Sequence, residues 1–197
     1  MQVINHLIDG HPLYKASPNV GGALINPTLL VMHFTASGVG ARGDADFLSN
    51  PNAKASAHVV VGEAGDHYQI VPFNKKAWHA GVSSWKGKNN CNDYSIGIEV
   101  DNWGIVTKKP DGTFQSWTKA PVDASRVVHL KNKRGVDAYW QTYTDIQLAK
   151  VGEITKAILA AYPSIKEIVG HEDVAPGRKT DPGPAFPLAR FQSLLTH

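Results

Sequence analysis

The sequence predicts an α/β fold: a single domain with a central mixed β-sheet flanked by helices and a long loop insertion. Short, β-rich apolar runs recur at Leu29 to Phe34, around Val59-Val60-Val61 and at Tyr94 to Val100. A helical repeat then runs from Thr144 to Ala161 and a further short strand from Ile165 to Gly170, so strands and helices interleave along the chain. At 197 residues the chain suits one sizeable core and is too short for two full domains.

Residues 1 to 28 hold scattered Gly, Pro and Asn and are expected to wrap the surface ahead of the first core strand. That strand begins with the apolar run Leu29-Leu30-Val31-Met32, which reads as buried, and ends at His33 and Phe34. Asp44 to Ser49 predicts a short helix, closed by Asn50-Pro51. Ala57 to Gly62, the turn Glu63 to Asp66 and Tyr68 to Pro72 make a hairpin pattern. YSIGIEV, from Tyr94, alternates as a strand does and carries Glu99 near its end. Thr144 with Gln147 resembles a capping box, and Ile146, Ala149, Ile154, Ala157, Ile158 and Ala161 recur at helical spacing until Tyr162-Pro163 stops the run. A terminal helix is expected over Pro187 to Leu195, with Pro187 in its first turn. Between Gly104 and Trp140 no period is sustained, and the segment is read as a long loop insertion carrying Trp117, Tyr139 and Trp140.

Hydrophobic content of 42% and charged content of 19% are ordinary for a soluble globular protein, and 18 glycines with 12 prolines point to many loops rather than disorder. A net charge of +3 comes from scattered lysines and arginines, without the dense stripe of a nucleic-acid footprint, so no nucleic acid is expected as a partner. An anionic polymer is still compatible with that charge. Cys91 is the single cysteine, which excludes an intramolecular disulfide. The amino-terminal MQVINHLIDGHP lacks the pattern of a secretory signal, and no run reaches the length of a membrane span. The expectation is a monomer without integral membrane association, cytoplasmic or exported without an amino-terminal signal peptide.

Chemistry concentrates in HEDVAPGRKTDPGP, His171 to Pro184, which reads as a loop too rich in glycine and proline for helix or strand. His171 and Asp181 lie ten positions apart, and His33 ends the buried strand. Two imidazoles and a carboxylate make a catalytic zinc shell with a fourth position open for water, which predicts a zinc hydrolase. Taken alone, Asp181 is more often a turn residue, and most of the nine histidines are structural; His6, His11, His67, His129 and His197 have no comparable setting. Lys179, two positions before Asp181, shares its face if the loop is extended, where an ammonium would stabilise an oxyanion; the bland alternative is a surface lysine. Arg178 would then face the other way, to brace the loop or meet a substrate carboxylate. Glu99, in an otherwise apolar strand, is either a general base whose pKa is raised by burial or a salt-bridged edge carboxylate. In AWHAG, Trp78 and His79 are either a wall of the cleft or a packed pair.

Five segments together, VMHFTAS, ASAHVVVGEAGDHYQIVPF, KKAWHAGVSSWKG, NNCNDYSIGIEV and HEDVAPGRKTDPGPAF, resemble the type-2 family of zinc-dependent N-acetylmuramoyl-L-alanine amidases. The likeness is greatest to its AmpD-like branch, with phage lysozyme-type amidases and peptidoglycan recognition proteins more distant, and spans Leu29 to Phe191. The resemblance implies a mixed sheet with flanking helices, a zinc ion as cofactor, and peptidoglycan or muropeptides as partners. It implies cleavage of the amide between N-acetylmuramic acid, or its anhydro form, and L-alanine of the stem peptide, in recycling or lysis. His33, His171 and Asp181 match the metal ligands, Glu99 the acid that activates water, and Lys179 the residue that stabilises the tetrahedral intermediate. Trp78 and His79 match a motif near the substrate cleft, and His58 a structural strand position. Residues 1–197 then form one type-2 amidase domain, with 1–28 as its wrap and 104–140 as an insertion that departs from the compact branch. The alternative is a non-catalytic muropeptide-binding module, whose mark would be an incomplete metal shell.

Overall fold

A computed structural model of the chain describes residues 1–10, 14–24 and 26–195; His11 and His197 lie outside the described residues. Ten strands build its two main sheets: β1 (Leu29–Phe34), β2 (Val59–Val61), β3 (His67–Gln69), β4 (Ser95–Val100), β5 (Ile105–Lys108), β6 (Phe114–Gln115), β7 (Pro121–Val122), β8 (Val127–Lys131), β9 (Asp137–Gln141) and β10 (Glu167–Gly170). The central sheet has the order β10-β1-β4-β2-β3. Its first four members are parallel, and β3 returns antiparallel from β2 as the expected hairpin.

Side-chain alternation decides what each face of this sheet meets. Leu30 and Met32 of β1, Ile96, Ile98 and Val100 of β4, and Val59 and Val61 of β2 form one core with α2 (Asp145–Ala161) through Leu148, Val151, Ile154 and Ile158. On the other face Leu29, Val31 and Val169 pack against Ala80, Cys91, Tyr94 and Val174. Burial on both faces is why β1 reads as a continuous apolar run. In β4, by contrast, only Ile96, Ile98 and Val100 join the α2 core, which leaves Ser95, Gly97 and Glu99 to the other face. The Thr144 side chain accepts from the Gln147 amide and caps α2 as its sequence predicts, and each fully buried aliphatic side chain on its inner face contributes about 1.5–3 kcal/mol.

Helix α1 (Gly40–Leu48) starts at Gly40 rather than Asp44; no side chain caps its start, so the sequence carries no signal for that end. The loop that begins at His171 also differs from expectation, because His171–Val174 forms a turn of helix, α3, with the Asp173 carboxylate accepting from the Gly170 amide at 2.8 Å. The last helix, α4 (Leu188–Gln192), is shorter than the predicted span. Residues ahead of β1 contribute a ribbon of Val3–Ile4 with Leu7–Ile8, and Val20–Ala23 pairs with Lys75–Ala77.

The segment 104–140, expected as a loop, is a second sheet. Its strands are antiparallel in the order β7-β6-β5-β9-β8. Strands of two to five residues with mixed exposure are too short to show a period of two, which hides them from sequence reading. Trp140 is 1% exposed, and its indole donates to the Leu130 carbonyl within the same sheet. Its ring covers Gly183, where a Cβ would approach it to 2.8 Å. Among the described residues, no helix is long and apolar enough to cross a membrane.

Two outcomes are expected. Ile154, fully buried between α2 and the sheet, should cost about 2–5 kcal/mol of stability when cut to alanine, read by urea denaturation; a loss below about 1 kcal/mol would contradict the packing described. Asp101, at the end of β4, has its pKa raised to about 7 by burial and then by Asp44, Glu63 and Asp66, against the pull of Arg126. The folded chain therefore holds a proton that the unfolded chain releases near pH 3.9, so this group's stability contribution is full in acid and is lost as pH rises toward about 7. Asp101→Asn should flatten the fall in melting temperature across that window, and an unchanged slope would count against this assignment.

Candidate active site

Register brings the site together. In the parallel pairing of β1 with β4, Glu99 lies opposite His33, so both side chains leave the same face. Strand β10 pairs with β1 up to Gly170 opposite Met32, and the next residue is His171. The carboxyl ends of three adjacent parallel strands thus deliver His33, Glu99 and His171 side by side, at the edge where open α/β sheets bind ligands. Asp181 arrives on the loop after α3, which is tied back by the Glu172 amide donating to the Asp181 carbonyl at 2.9 Å.

Three atoms form a tight triangle. His33 Nδ1 lies 2.9 Å from His171 Nδ1 and 3.1 Å from Asp181 Oδ2, and His171 Nδ1 lies 2.9 Å from the same oxygen. All three residues are buried, and their donor atoms meet the geometric requirement for holding a metal ion. The hydrogen-bond partners behind them fix which ring nitrogens carry protons. His171 Nε2 faces the Ala80 carbonyl at 3.1 Å and must donate to it, which leaves a lone pair on Nδ1. For His33 the same result comes through a relay. The Ser95 hydroxyl donates to the Cys91 carbonyl at 2.6 Å, so its oxygen accepts from His79 Nε2 at 3.2 Å. His79 Nδ1 is then an acceptor, receives the His33 Nε2 proton across 2.9 Å, and leaves His33 Nδ1 unprotonated. Two nitrogen lone pairs and a carboxylate oxygen converging without a proton between them repel one another, and a cation at their centre removes that repulsion.

The electrostatics agree with this. Burial first, and His171 second, push the His33 pKa down to about 4, so the ring is neutral as a ligand must be. Burial opposes ionisation of Asp181, and with both neighbouring Nδ1 atoms unprotonated a cation at the centre of the triangle would be what keeps the carboxyl ionised. His79 is lowered well below its usual range by burial, then by His33 and His58. Its ring lies against β4 at Gly97, where a Cβ would sit 2.5 Å from the His79 ring; glycine is what makes room for the relay.

Glu99 stands at the edge of the triangle, Oε1 4.0 Å from His33 Nδ1. Its Oε2 is buried and has no hydrogen-bond partner among the described residues. Burial, then Asp181 and Asp44, raise its pKa well above the ordinary carboxylate value, while Lys179 opposes them. Glu99, His171, Lys179 and Asp181 line a cleft of about 370 Å³ together with Phe47, Ser56, Trp78 and Arg178. Lys179 is exposed at this cleft, and Trp78, 38% exposed, forms part of its wall. The Arg178 guanidinium donates to the Ala80 and Val82 carbonyls at 2.6 and 2.8 Å, bracing the loop that also receives His171.

The sequence reading did not single out Ser95 or Asn92. Ser95 had a legible signal, since the period of two places it on the same face as Glu99. Asn92 Oδ1 accepts from the His79 and Ala80 amides, and nothing local in the sequence marks it. His58 is buried and knits strands, accepting from the Gly97 amide and donating to the Lys75 carbonyl. His6 and His129 meet Tyr162 and Asp137, outside the cleft.

Comparison with known proteins gives a consistent result. The family described as N-acetylmuramoyl-L-alanine amidase (Amidase_2) matches residues 24–184. The 1,6-anhydro-N-acetylmuramyl-L-alanine amidase AmpD of Citrobacter freundii is 36% identical over 188 residues, covering 87% of this chain and 82% of that protein. A crystal structure of a selenomethionine AmpD derivative superposes with a TM-score of 0.70 at 31% identity, covering 100% of both chains. The AmiD amidase of Escherichia coli, solved with the substrate anhydro-N-acetylmuramic acid-L-Ala-D-gamma-Glu-L-Lys, superposes with a TM-score of 0.64 at 28% identity, over 94% of this chain and 61% of that one. The fold, the extent of the match and the identity to these relatives agree: the chain belongs to the N-acetylmuramoyl-L-alanine amidase family.

Proposed function

We propose that the protein is a zinc-dependent N-acetylmuramoyl-L-alanine amidase that hydrolyses the amide between anhydro-N-acetylmuramic acid and L-alanine of the stem peptide. The observation that carries this reading is the convergence of His33 Nδ1, His171 Nδ1 and Asp181 Oδ2 beside a buried, unpartnered Glu99 oxygen. Separations of 2.9–3.1 Å are a little under the roughly 3.3 Å between neighbouring ligand atoms of a tetrahedral zinc with bonds of about 2.0–2.1 Å, so a small outward shift of the side chains admits the ion. Relatives named for action on the 1,6-anhydro sugar, and a solved relative holding an anhydro-muramoyl tripeptide, support the substrate. A non-catalytic binding module has no use for a complete ligand set with an adjacent base, and no observation favours it. We read residues 1–197 as one amidase domain, with 1–28 as the wrap and 104–140 inserted as a sheet.

Bound zinc would act as a Lewis acid and bring the pKa of a water molecule to about 7. The chain's own groups do the rest. Glu99, at the cleft with its Oε2 buried and unpartnered among the described residues, accepts the proton of the attacking water. Lys179, exposed at the cleft, offers a positive charge to the carbonyl oxygen as it gains negative charge, a role worth on the order of 3 kcal/mol. Glu99 then returns the proton to the alanine nitrogen as the amide C–N bond breaks, which avoids expelling an unprotonated amide anion. Arg178 and Asn92 hold the 79–82 segment against the ligand loop, so the rings of His33 and His171 keep their orientation.

Three experiments test this reading. Mass spectrometry of an anhydro-muramoyl tripeptide digest should show the free peptide with the metal-replete protein and none after chelation; cleavage that survives rigorous metal removal would refute the proposed zinc chemistry. Glu99→Gln should retain zinc while kcat falls by about 10²–10⁴-fold, whereas Asp181→Ala should also lose bound metal on gel filtration. Full turnover by the Glu99 variant would remove it from the mechanism. Ser95→Ala breaks the relay that fixes the His33 tautomer and should weaken zinc about 10–100-fold in chelator competition with the fold intact; an unaltered zinc affinity would show that the relay is not needed.

A further inference from the structure

The cleft is bordered by a large side chain that neither the core nor the metal site uses. Trp117 is 71% exposed and sits at the tip of the hairpin joining β6 to β7. The tip is closed by its own hydrogen bonds: the Ser116 amide donates to the Ala120 carbonyl at 2.8 Å, the Lys119 amide to the Ser116 carbonyl at 2.9 Å, and the Ser116 and Thr118 hydroxyls lie 2.9 Å apart. From there the indole reaches back to the core, and its Nε1 donates to the Ala36 carbonyl at 2.7 Å. Ala36 lines the same cleft as Glu99 and lies on the segment leaving His33, with a φ of 56° that an alanine rarely adopts. The single polar atom of the indole is thus satisfied, and the rest of the ring is open to solvent in a fixed position.

A fixed, solvent-facing indole beside a catalytic cleft suits one kind of ligand surface well. Sugar rings present faces of C–H groups that pack flat on an aromatic ring, and a ring already held in place loses little entropy on binding. In the proposed reaction the scissile amide hangs from the lactyl group of a muramic acid, so a sugar attached to that unit leaves the cleft along its rim. We propose that Trp117 is a specificity-determining residue: its indole is the stacking surface for a saccharide ring joined to the muramoyl unit whose amide is cut. The insertion, on this reading, exists to hold that ring against Ala36 and to extend recognition from the muropeptide to its glycan. The inference rests on the amidase reading of the same site.

The test compares kcat/KM on two soluble substrates, an anhydro-muramoyl tripeptide and the same compound carrying N-acetylglucosamine on its muramoyl unit, for the wild type, Trp117→Ala and Trp117→Phe. Trp117→Ala should lose about tenfold more on the disaccharide substrate than on the monosaccharide, with the difference in KM, and Trp117→Phe should recover most of it because a ring remains. Equal losses on the two substrates, or no loss on either, would overturn the inference while leaving the amidase reading intact. Trp117→Phe failing as badly as Trp117→Ala would overturn it too, since the indole N–H and its tie to Ala36 would then be what matters. A wild-type protein that cuts neither substrate would overturn the amidase reading and this inference with it.

Discussion

The parallel, in-register pairing of β1 with β4 and β10 is the constraint on which the rest of the site depends. A slip of one residue between β1 and β4 would turn either His33 or Glu99 to the opposite face, where Leu30, Met32, Ile96 and Ile98 pack on α2. A one-residue slip is opposed because it would turn Glu99 and Ser95 of β4 into the apolar core that Ile96, Ile98 and Val100 fill. The same alternation that fills the core therefore aims three functional groups at one point. The core and the site are two faces of one pattern.

Bringing ionisable groups to a buried sheet edge is costly unless each is neutral or paired, and the molecule meets that requirement in different ways. His33 and His79 are kept uncharged by burial first and then by a neighbouring imidazole, His171 for His33 and His33 for His79. Asp181 faces two imidazole nitrogens that carry no proton, so a cation held between the three groups would keep it ionised. Glu99 is the exception, with one oxygen unpaired and its pKa raised by burial and neighbouring carboxylates. Residual imbalance of this kind gathers at functional sites, and here it falls on the group with a proton to accept and release. The Ser95 to His79 to His33 relay adds direction to the balance, since its donors and acceptors leave the metal-facing nitrogen free.

The second sheet shows how an insertion is tied to a site without contributing a ligand. Trp140 packs on Gly183, two residues beyond Asp181, and Gln141 donates to Glu63 while receiving the Trp103 amide, so the sheet leans on both the ligand loop and the end of the core. Trp117 reaches the strand end that bears His33 from the other direction. A segment without long-range periodicity is thereby part of the cleft's surroundings.

Much of this was legible in the amino-acid sequence. The apolar run of β1, the alternation of YSIGIEV and the cap and period of α2 identify the central sheet and its covering helix, because burial on a regular element leaves a regular trace. His33, His171, Asp181, Glu99 and Lys179 could be named from their places at strand ends and in the HEDVAPGRKTDPGP loop, and the family resemblance supplied roles that spacing alone left open. The short strands of residues 105–141 left no such trace, since two to five half-exposed residues look the same in a sheet as in a loop. Nor could the chain alone reveal which nitrogen of His33 is free, that Arg178 is spent on backbone carbonyls, or that Trp140 is buried while Trp117 is presented to solvent. Those facts depend on contacts between residues tens of positions apart, and only the packed tertiary structure brings such partners within hydrogen-bonding distance.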